Sequence, residues 1–383
     1  MDAWGKTIKY SFGGLMKSKN IGYIDALKGI AILGVTMIHT GGSTLPGILG
    51  KIGVSGARGV QMFFIISAML TFASLSNFFP NREDIKIVQV LGWYKKKILR
   101  LIPMYYLAII CSMLTKSWSV YWLGNEGHVT VKNILAHIFF IHGFFPHYTD
   151  SVLGIEWYLG VYVIFLIISP FLYKFVDCLE KSIVLFVLVY LVNPWLNSKL
   201  ASLLPVDEDP VIYDTYIVSF GPLTQILVYT MGIVLYFLVE RINECDIKHR
   251  KVLSYAILIF AIVLFYGLVN EAPAIYRFSG VEMFGLCFAI VIVSQAIYSS
   301  VMIDNPLFRL FGKYSYGIYL FQFIWINFYS RHINYQGMFD WSVKFLVCSV
   351  ALLLISFLLT RFFDAPIQKL IKRIAGNSRI KEI

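Results

Sequence analysis

Ten apolar runs, each close to the length that crosses a lipid bilayer, dominate this chain. A membrane-spanning helix needs about 20 mostly apolar residues. The hydrophobic fraction of 58% and the charged fraction of 14% fit a surface that faces lipid, because soluble domains carry about 25% charged residues. We therefore predict an all-α, polytopic membrane protein with about ten transmembrane helices. Their expected positions are 24–40, 59–79, 98–115, 153–174, 182–198, 216–240, 252–270, 281–300, 314–331 and 342–362.

A further apolar stretch, 131–146, is shorter and is interrupted by His137, His142, Gly143 and Pro146. If it does not cross the membrane and the N-terminus is cytoplasmic, 24 of the 33 Lys and Arg residues fall on the cytoplasmic side. If it crosses, fourteen of these cations move to the outside. Because cytoplasmic loops are rich in Lys and Arg, we expect the stretch to be re-entrant or interfacial and both termini to be cytoplasmic.

The sequence divides into one membrane domain with two short basic flanks. We expect a cytoplasmic N-terminal segment at 1–23, a transmembrane domain at 24–363 and a cytoplasmic tail at 364–383, in a multi-pass protein of the cell (plasma) membrane. More than twenty residues precede the first apolar run, so no cleavable signal peptide is expected. The net charge of +11 lies in clusters between apolar runs, which favours an orientation signal over nucleic-acid binding. The five cysteines are widely separated, and neither a metal site nor a disulfide framework is expected.

Lys28 and His39 stand at the two ends of the first apolar run, eleven positions apart. Eleven residues make about three helical turns, so both side chains point the same way, with a rise of roughly 16 Å between them. Ionisable groups inside a membrane segment are costly and usually serve a site. The alternative is that Lys28 extends to the interface and His39 only ends the helix.

Three other polar groups interrupt apolar runs. Ser67 lies within one, although a helical serine often only bonds its own backbone. Lys97 and Arg100 share a helix face and form either a two-cation phosphate site or an ordinary orientation signal. Glu156 enters a run beside Trp157. Tryptophan is common at the membrane interface, and the carboxylate is either functional or hydrated at the rim.

Four motifs, taken in order, resemble those of the membrane acyltransferase type 3 family. They span nearly the whole chain. They are Lys28 and His39 with ten residues between them, Phe63-Phe-Ile-Ile-Ser67, Lys97-Ile-Leu-Arg100 with Pro103 and Tyr105, and Ser315-Tyr-Gly-Ile-Tyr-Leu-Phe-Gln322.

The resemblance implies an integral membrane O-acyltransferase. Acyl-CoA, expected to be acetyl-CoA, would be a co-substrate, with no bound cofactor. It would transfer its acyl group to a sugar hydroxyl of a surface polysaccharide or of its lipid-linked precursor. Lys28, Lys97 and Arg100 would bind the donor phosphates from the cytoplasm. His39 would act as general base on the acceptor hydroxyl, and Ser67 would donate to the thioester carbonyl or briefly carry the acyl group.

The remaining implied residues support this site. Asp25, three positions before Lys28, would orient that cation, and Glu156, Trp157 and Tyr319 would complete the surroundings. No esterase-like segment follows the last apolar run, so transfer to the acceptor is expected from the membrane domain itself or from a separate protein.

Three positions depart from the family pattern. Gln322 replaces a common His, which argues against proton transfer there. Asp364 with Pro366 replaces a Glu-x-Pro. Tyr162 lies near a common Glu, which weakens a carboxylate role for Glu156.

Two other classes of protein remain open from the sequence. A glycan exporter or transporter without covalent chemistry would have about as many helices, but it predicts a continuous polar path and internal repeats. No repeat is evident. A scaffold for a polysaccharide synthase would tolerate replacement of His39.

Overall fold

A computed structural model describes residues 22–116, 128–206, 209–270, 280–332 and 337–380. These residues form helices and no β-strand. The α-helices are α1 (Gly22–His39), α2 (Gly47–Ser55), α3 (Gly59–Phe78), α4 (Ile87–Lys116), α5 (Val131–Ile138), α6 (Trp157–Phe175), α7 (Leu179–Leu203), α8 (Pro210–Thr215), α9 (Pro222–Glu244), α10 (Arg250–Asn270), α11 (Gly280–Ile297), α12 (Pro306–Lys313), α13 (Ser315–His332), α14 (Met338–Leu359) and α15 (Ala365–Ile380).

A helix occupies each of the ten positions at which a transmembrane segment was expected. In the described part of the chain, eight of these helices are long and apolar enough to cross a membrane. The other two, α1 and α13, have 18 residues each and carry more polar side chains. The all-α polytopic fold is confirmed, whereas the number of crossings and the cytoplasmic location of both termini stay predictions. Most of the predicted N-terminal flank, 1–23, lies outside the described residues.

The interrupted stretch folds back and does not form a long helix. Its only α-helix in the described chain, α5, has eight residues, a length of about 12 Å, and a hydrocarbon core is about 30 Å thick. Phe140 then adopts a left-handed backbone conformation with φ of 57°, and two short 3₁₀ turns follow. Gly143 packs directly on Gly160 of α6, where a Cβ on Gly143 would lie 2.5 Å from the carbonyl carbon of Gly160.

Helix α1 is packed against α3, α12 and α13. A Cβ on Gly312 at the end of α12 would lie 1.7 Å from the Asp25 carbonyl oxygen, and one on Gly29 would lie 1.9 Å from that of Phe308. At the other end of α1, the ring of His39 lies against Phe323 of α13. Helices α1 and α13 therefore run in the same direction, and the last residue of α1 lies beside the middle of α13.

Two helix boundaries differ from those expected. Helix α4 begins at Ile87, well before position 98, so Lys97 and Arg100 lie within the helix and not at its start. Helix α6 begins at Trp157, after position 153, because Glu156 binds the preceding backbone in a loop. At the C-terminal end, a π-helical turn at Thr360–Asp364 joins α14 to α15. The predicted cytoplasmic tail, 364–383, thus begins within a continuous helical segment.

Candidate functional site

Helices α1, α3, α4, α6 and α13 surround a cavity of about 350 Å³. Five of the residues selected from the sequence line it: Lys28, Ser67, Lys97, Arg100 and Tyr319. They come from four helices and are separated by up to about 290 positions in the chain. The fold therefore brings most of the sequence-predicted site into one place.

One end of the cavity is basic and open to the surroundings. Lys28, Lys97, Arg100 and Lys313 line it together with one carboxylate, Asp364. Arg100 and Lys313 are exposed. A site with four cations and one carboxylate attracts anions, and the guanidinium adds a planar donor fork suited to phosphate.

Two of these cations have defined neighbours. Lys28 Nζ lies 2.6 Å from Asp25 Oδ1, the contact that was expected of Asp25. Lys97 Nζ lies 5.3 Å from the ring centre of Trp93, one turn earlier on α4. These contacts restrict the conformations of both side chains. The side chains therefore lose less conformational entropy when they bind a ligand.

Hydroxyl groups line the middle of the cavity. Ser67 Oγ and Tyr158 Oη are 2.8 Å apart, so one donates to the other. The Tyr158 ring packs edge-on against Tyr319, with centroids 5.7 Å apart, and parallel to Tyr162 at 6.1 Å. Tyr319 Oη donates to the carbonyl oxygen of Ile155. The Ser67–Tyr158 pair leaves hydrogen-bonding capacity for a ligand carbonyl.

The end of the cavity remote from the cations is apolar and closed. Val35 lies two turns along α1 from Lys28, a rise of about 10 Å, and Val60 and Leu159 lie close by. Their exposed fractions are 2%, 7% and 1%. The cavity therefore has one open basic end and one packed apolar end.

His39 does not belong to the described lining of the cavity. It lies one turn beyond Val35 on α1, about 6 Å further along the axis. The imidazole is half-buried, and its ring centre lies 4.4 Å from that of Phe323 in an edge-on arrangement. Lys28 and His39 thus lie on one helix, as predicted, but on opposite sides of the closed end.

Glu156 is fully buried and anchors the loop before α6. Its Oε1 accepts hydrogen bonds from the backbone N–H of Val152 and of Leu153 at 2.6 and 2.9 Å, and its Oε2 accepts one from that of Ile155 at 2.9 Å. Oε1 also lies 3.0 Å from Nε2 of His137, which is itself fully buried. The hypothesis that this carboxylate is hydrated at the rim is therefore wrong.

The His137 ring is placed for an ion pair with this carboxylate. Its Nδ1 lies 2.7 Å from the Asn133 carbonyl oxygen, which can only accept, so Nδ1 donates. The contact between Nε2 and Oε1 gives Glu156 a fourth hydrogen-bond partner beside the three backbone N–H groups. His142 stacks on His137 with ring centres 4.4 Å apart, and its Nε2 lies 3.2 Å from the Glu156 carbonyl oxygen.

Trp157 is buried beside this loop and does not lie in an interfacial belt. Its ring stacks on Phe220 with centroids 4.6 Å apart, and its backbone N–H donates to Asp150 Oδ1 at 3.2 Å. The folded-back stretch has three exposed aromatic residues among its described positions, namely Phe139, Phe144 and Phe145.

Sequence reasoning missed Lys313, Thr360 and Asp364 as cavity residues. Asp364 was noticed only as a substitution in a motif. Thr360 and Asp364 are the two ends of the π-helical turn, and such turns often occur at functional sites. The spacing of Thr360 and Asp364 in the sequence does not predict that both residues line a cavity. His137, His142 and Glu156 were each noticed in the sequence as polar residues in apolar surroundings. Their contacts with one another could not be predicted from it.

The fold and this cavity define a multi-pass, all-helical membrane protein. Its candidate binding site is a cavity with an open end lined by Lys and Arg side chains. Residues 21–361 match the family model described as acyltransferase domain, and the chain belongs to that family. The predicted resemblance to the membrane acyltransferases is thereby confirmed.

Related proteins carry a consistent name. The chain is 25% identical to a protein of Staphylococcus aureus strain COL and 24% identical to proteins of strains MSSA476 and MRSA252, each named "Putative O-acetyltransferase". Each alignment covers 93% of this chain and 59% of the relative. This chain thus spans about three-fifths of the length of those relatives.

Proposed function

We propose that this protein is a membrane O-acyltransferase that uses acyl-CoA, in the first instance acetyl-CoA, as its donor. The acceptor is a sugar hydroxyl of a surface polysaccharide or of its lipid-linked precursor. The observation that carries the proposal is the cavity itself, in which Lys28, Lys97, Arg100 and Lys313 surround the open end and Ser67 and Tyr158 lie further in. Membership of the acyltransferase family supports it.

The basic end suits the phosphates of a coenzyme A thioester. Its cations lie at the end that the distribution of Lys and Arg assigns to the cytoplasm, where acyl-CoA is available. With the phosphates bound there, the pantetheine arm extends between α1, α4 and α13. The volume of about 350 Å³ falls within the range of roughly 300–1,000 Å³ typical of ligand pockets. It fits the thiol arm and the acyl group while the nucleotide remains at the mouth.

The reaction requires an acceptor oxygen to attack the thioester carbonyl carbon. A C–O bond forms, the C–S bond breaks, and the acceptor proton passes through His39 to the departing thiolate, which leaves as coenzyme A thiol. His39 acts as the base because neutral imidazole exchanges a proton near neutral pH. Ser67 donates a hydrogen bond to the thioester carbonyl oxygen, which gains negative charge as the bond forms.

The acceptor approaches from the opposite side of the membrane. His39 lies beyond the closed end of the cavity, on the side of the folded-back stretch. The half-exposed rings of Phe144 and Phe145 offer flat apolar faces for sugar rings. Donor and acceptor thus approach the reacting atoms from opposite ends of α1, and the side chains of Val35 and Val60, which lie between them, must move aside for the acceptor oxygen to reach the thioester.

Purified protein in proteoliposomes, incubated with acyl-labelled acetyl-CoA and an oligosaccharide acceptor, tests the proposal. We expect the label in an alkali-labile ester on the glycan, detected by mass spectrometry. Free glycan that crosses the vesicle membrane without an ester would instead support an exporter. Hydrolysis of acetyl-CoA without glycan ester would contradict the proposed acceptor.

The basic end gives a second prediction. Replacing Lys97 and Arg100 together with Gln should raise the KM for acyl-CoA about 10²- to 10⁴-fold, because each lost charge-assisted hydrogen bond costs about 1.5–3 kcal/mol against water. The turnover at saturating donor should change little. The measurement is ester formation across a donor titration.

A matched control lies on the same helix. Lys95 and Lys96 are exposed and belong to the same basic cluster, but they are not among the cavity-lining residues. Their double replacement with Gln should leave the donor KM within about threefold. Equal effects of the two double variants would make the cluster an orientation signal and not a donor site.

A further inference from the structure

We infer that a groove between α4, α13 and α14 binds the phosphate and the apolar chain of a lipid-linked acceptor. The inference rests on the proposed function and chooses between its two acceptors, because a glycan without a lipid has no chain to place there. The groove encloses about 340 Å³, and its lining includes Thr115 of α4 and Ile355 of α14. None of its described lining residues belongs to the donor cavity, so it is a separate site.

A mostly apolar stripe on α13 lines the groove and ends at an arginine. Its members, spaced three or four residues apart, are Phe321, Ile324, Phe328 and Arg331. Such spacings keep side chains on one helix face, and ten residues give a rise of about 15 Å. Phe321 is 6% exposed and Phe328 is 56% exposed, so the groove opens to the surroundings toward Arg331. An apolar chain can lie along this stripe with its polar end at the arginine.

The arginine lies at the end of α13 that is remote from the donor mouth. Ser315, which lines the donor cavity, precedes Arg331 by 16 residues, a rise of about 24 Å. The hydrocarbon core of a bilayer is about 30 Å thick. Arg331 therefore lies near the opposite membrane face, the one from which the acceptor approaches in the proposed reaction.

The charge at this end of the groove suits a phosphate group. Arg331 is exposed and forms no ion pair with another described residue. The described lining of the groove contains no carboxylate. A guanidinium presents a planar donor fork that matches two phosphate oxygens. A lipid whose phosphate is bound to Arg331 can place its chain on Phe328 and Ile324, within the hydrocarbon layer.

The position of His39 shows how a glycan on this lipid can react. His39 lies beside Phe323, which precedes Arg331 by eight residues, a rise of about 12 Å. Phe321 and Phe323 are two residues apart and point to different sides of α13, so the groove and His39 lie on different sides of this helix. The glycan therefore passes around the end of α13 and extends back toward His39, while the lipid holds it at the membrane.

The test uses one oligosaccharide in two forms, linked to polyprenyl diphosphate or free, as acceptors in the proteoliposome assay. Arg331→Gln should raise the KM for the lipid-linked form about 10- to 100-fold, the loss expected for one charge-assisted hydrogen bond. Ile324→Trp should raise the same KM at least about fivefold, because the larger side chain occupies the groove. For both variants, the KM values for the free oligosaccharide and for acyl-CoA should stay within about threefold of wild type.

Lys199→Gln is the matched control. Lys199 is an exposed cation on α7 that does not line the groove, and its replacement should leave both acceptor KM values unchanged. If Arg331→Gln fails to fold, Ile324→Trp still decides. An unchanged KM for the lipid-linked form in the folded variants, or an equal rise for the free form, would overturn the inference alone, as would ester on the free form only. Absence of ester from both acceptors would instead overturn the proposed function.

Discussion

Replacing His39 with Gln should lower turnover by about 10²–10⁴-fold at every donor concentration, the range that general base catalysis typically contributes. Glutamine keeps much of the polar volume, and packing against Phe323 can persist, but it cannot take the acceptor proton. Lys28→Met should behave differently. It removes a cation from the donor end, so activity should fall at low acyl-CoA and recover at high acyl-CoA.

Ester formation by reconstituted protein at matched amounts, with acyl-CoA titrated for each variant, separates the two cases. His128→Gln is the control, because His128 is exposed and far along the chain from any cavity residue. Its kinetics should match the wild type. If His39→Gln turns over near the normal rate, His39 is not the base, and the scaffold and exporter hypotheses gain support.

Replacing Glu156 with Gln should destabilise the protein by about 3–5 kcal/mol, because it breaks the fully buried pair of Glu156 with His137. The amide also presents N–H groups where the carboxylate accepted backbone N–H donors. Activity should fall as well, since Ile155, which Glu156 holds, accepts the hydrogen bond from Tyr319 in the cavity. The measurement is unfolding in mixed micelles with increasing SDS.

The matched control is an exposed carboxylate pair. Glu180 lies 2.9 Å from Arg241, and both side chains are more than half exposed, so Glu180→Gln should cost no more than about 1 kcal/mol. The double variant Glu156→Gln with His137→Gln should recover part of the lost stability, because two amide side chains can hydrogen-bond to each other, whereas the single variant leaves an amide mismatched with His137. Equal costs for Glu156→Gln and Glu180→Gln would show that the buried pair is not a special contributor.

The helix positions were predictable because each apolar run is long enough to form a helix that spans a membrane. Runs of about 20 residues leave little choice of structure in lipid, and helices occur at all ten expected places. The ends of these helices were less predictable. The start of α6 depends on Glu156 capturing backbone N–H groups of its own loop, which no spacing reveals.

The site was predictable where helix geometry alone decides it. Lys97 and Arg100 share a face, and both line the cavity. Lys28 and His39 also share a face, but only Lys28 reaches the cavity. The cavity ends at Val35 because the glycines of α1 and α3 let the two backbones meet there, a tertiary contact that is not encoded in the period of either helix. Asp364 enters through a π-helical turn, which shifts the residue register out of the regular repeat.

The packed end of the cavity also has an electrical consequence. A pathway that admits a large anionic molecule from one side and continued to the other would let protons and salt leak through and would dissipate the voltage of an energised membrane. Here the route from Lys28 stops at Val35, Val60 and Leu159, whose side chains are almost wholly enclosed. In the described part of the chain, this cavity therefore offers no open path for ions between its basic end and the opposite side in the conformation seen here.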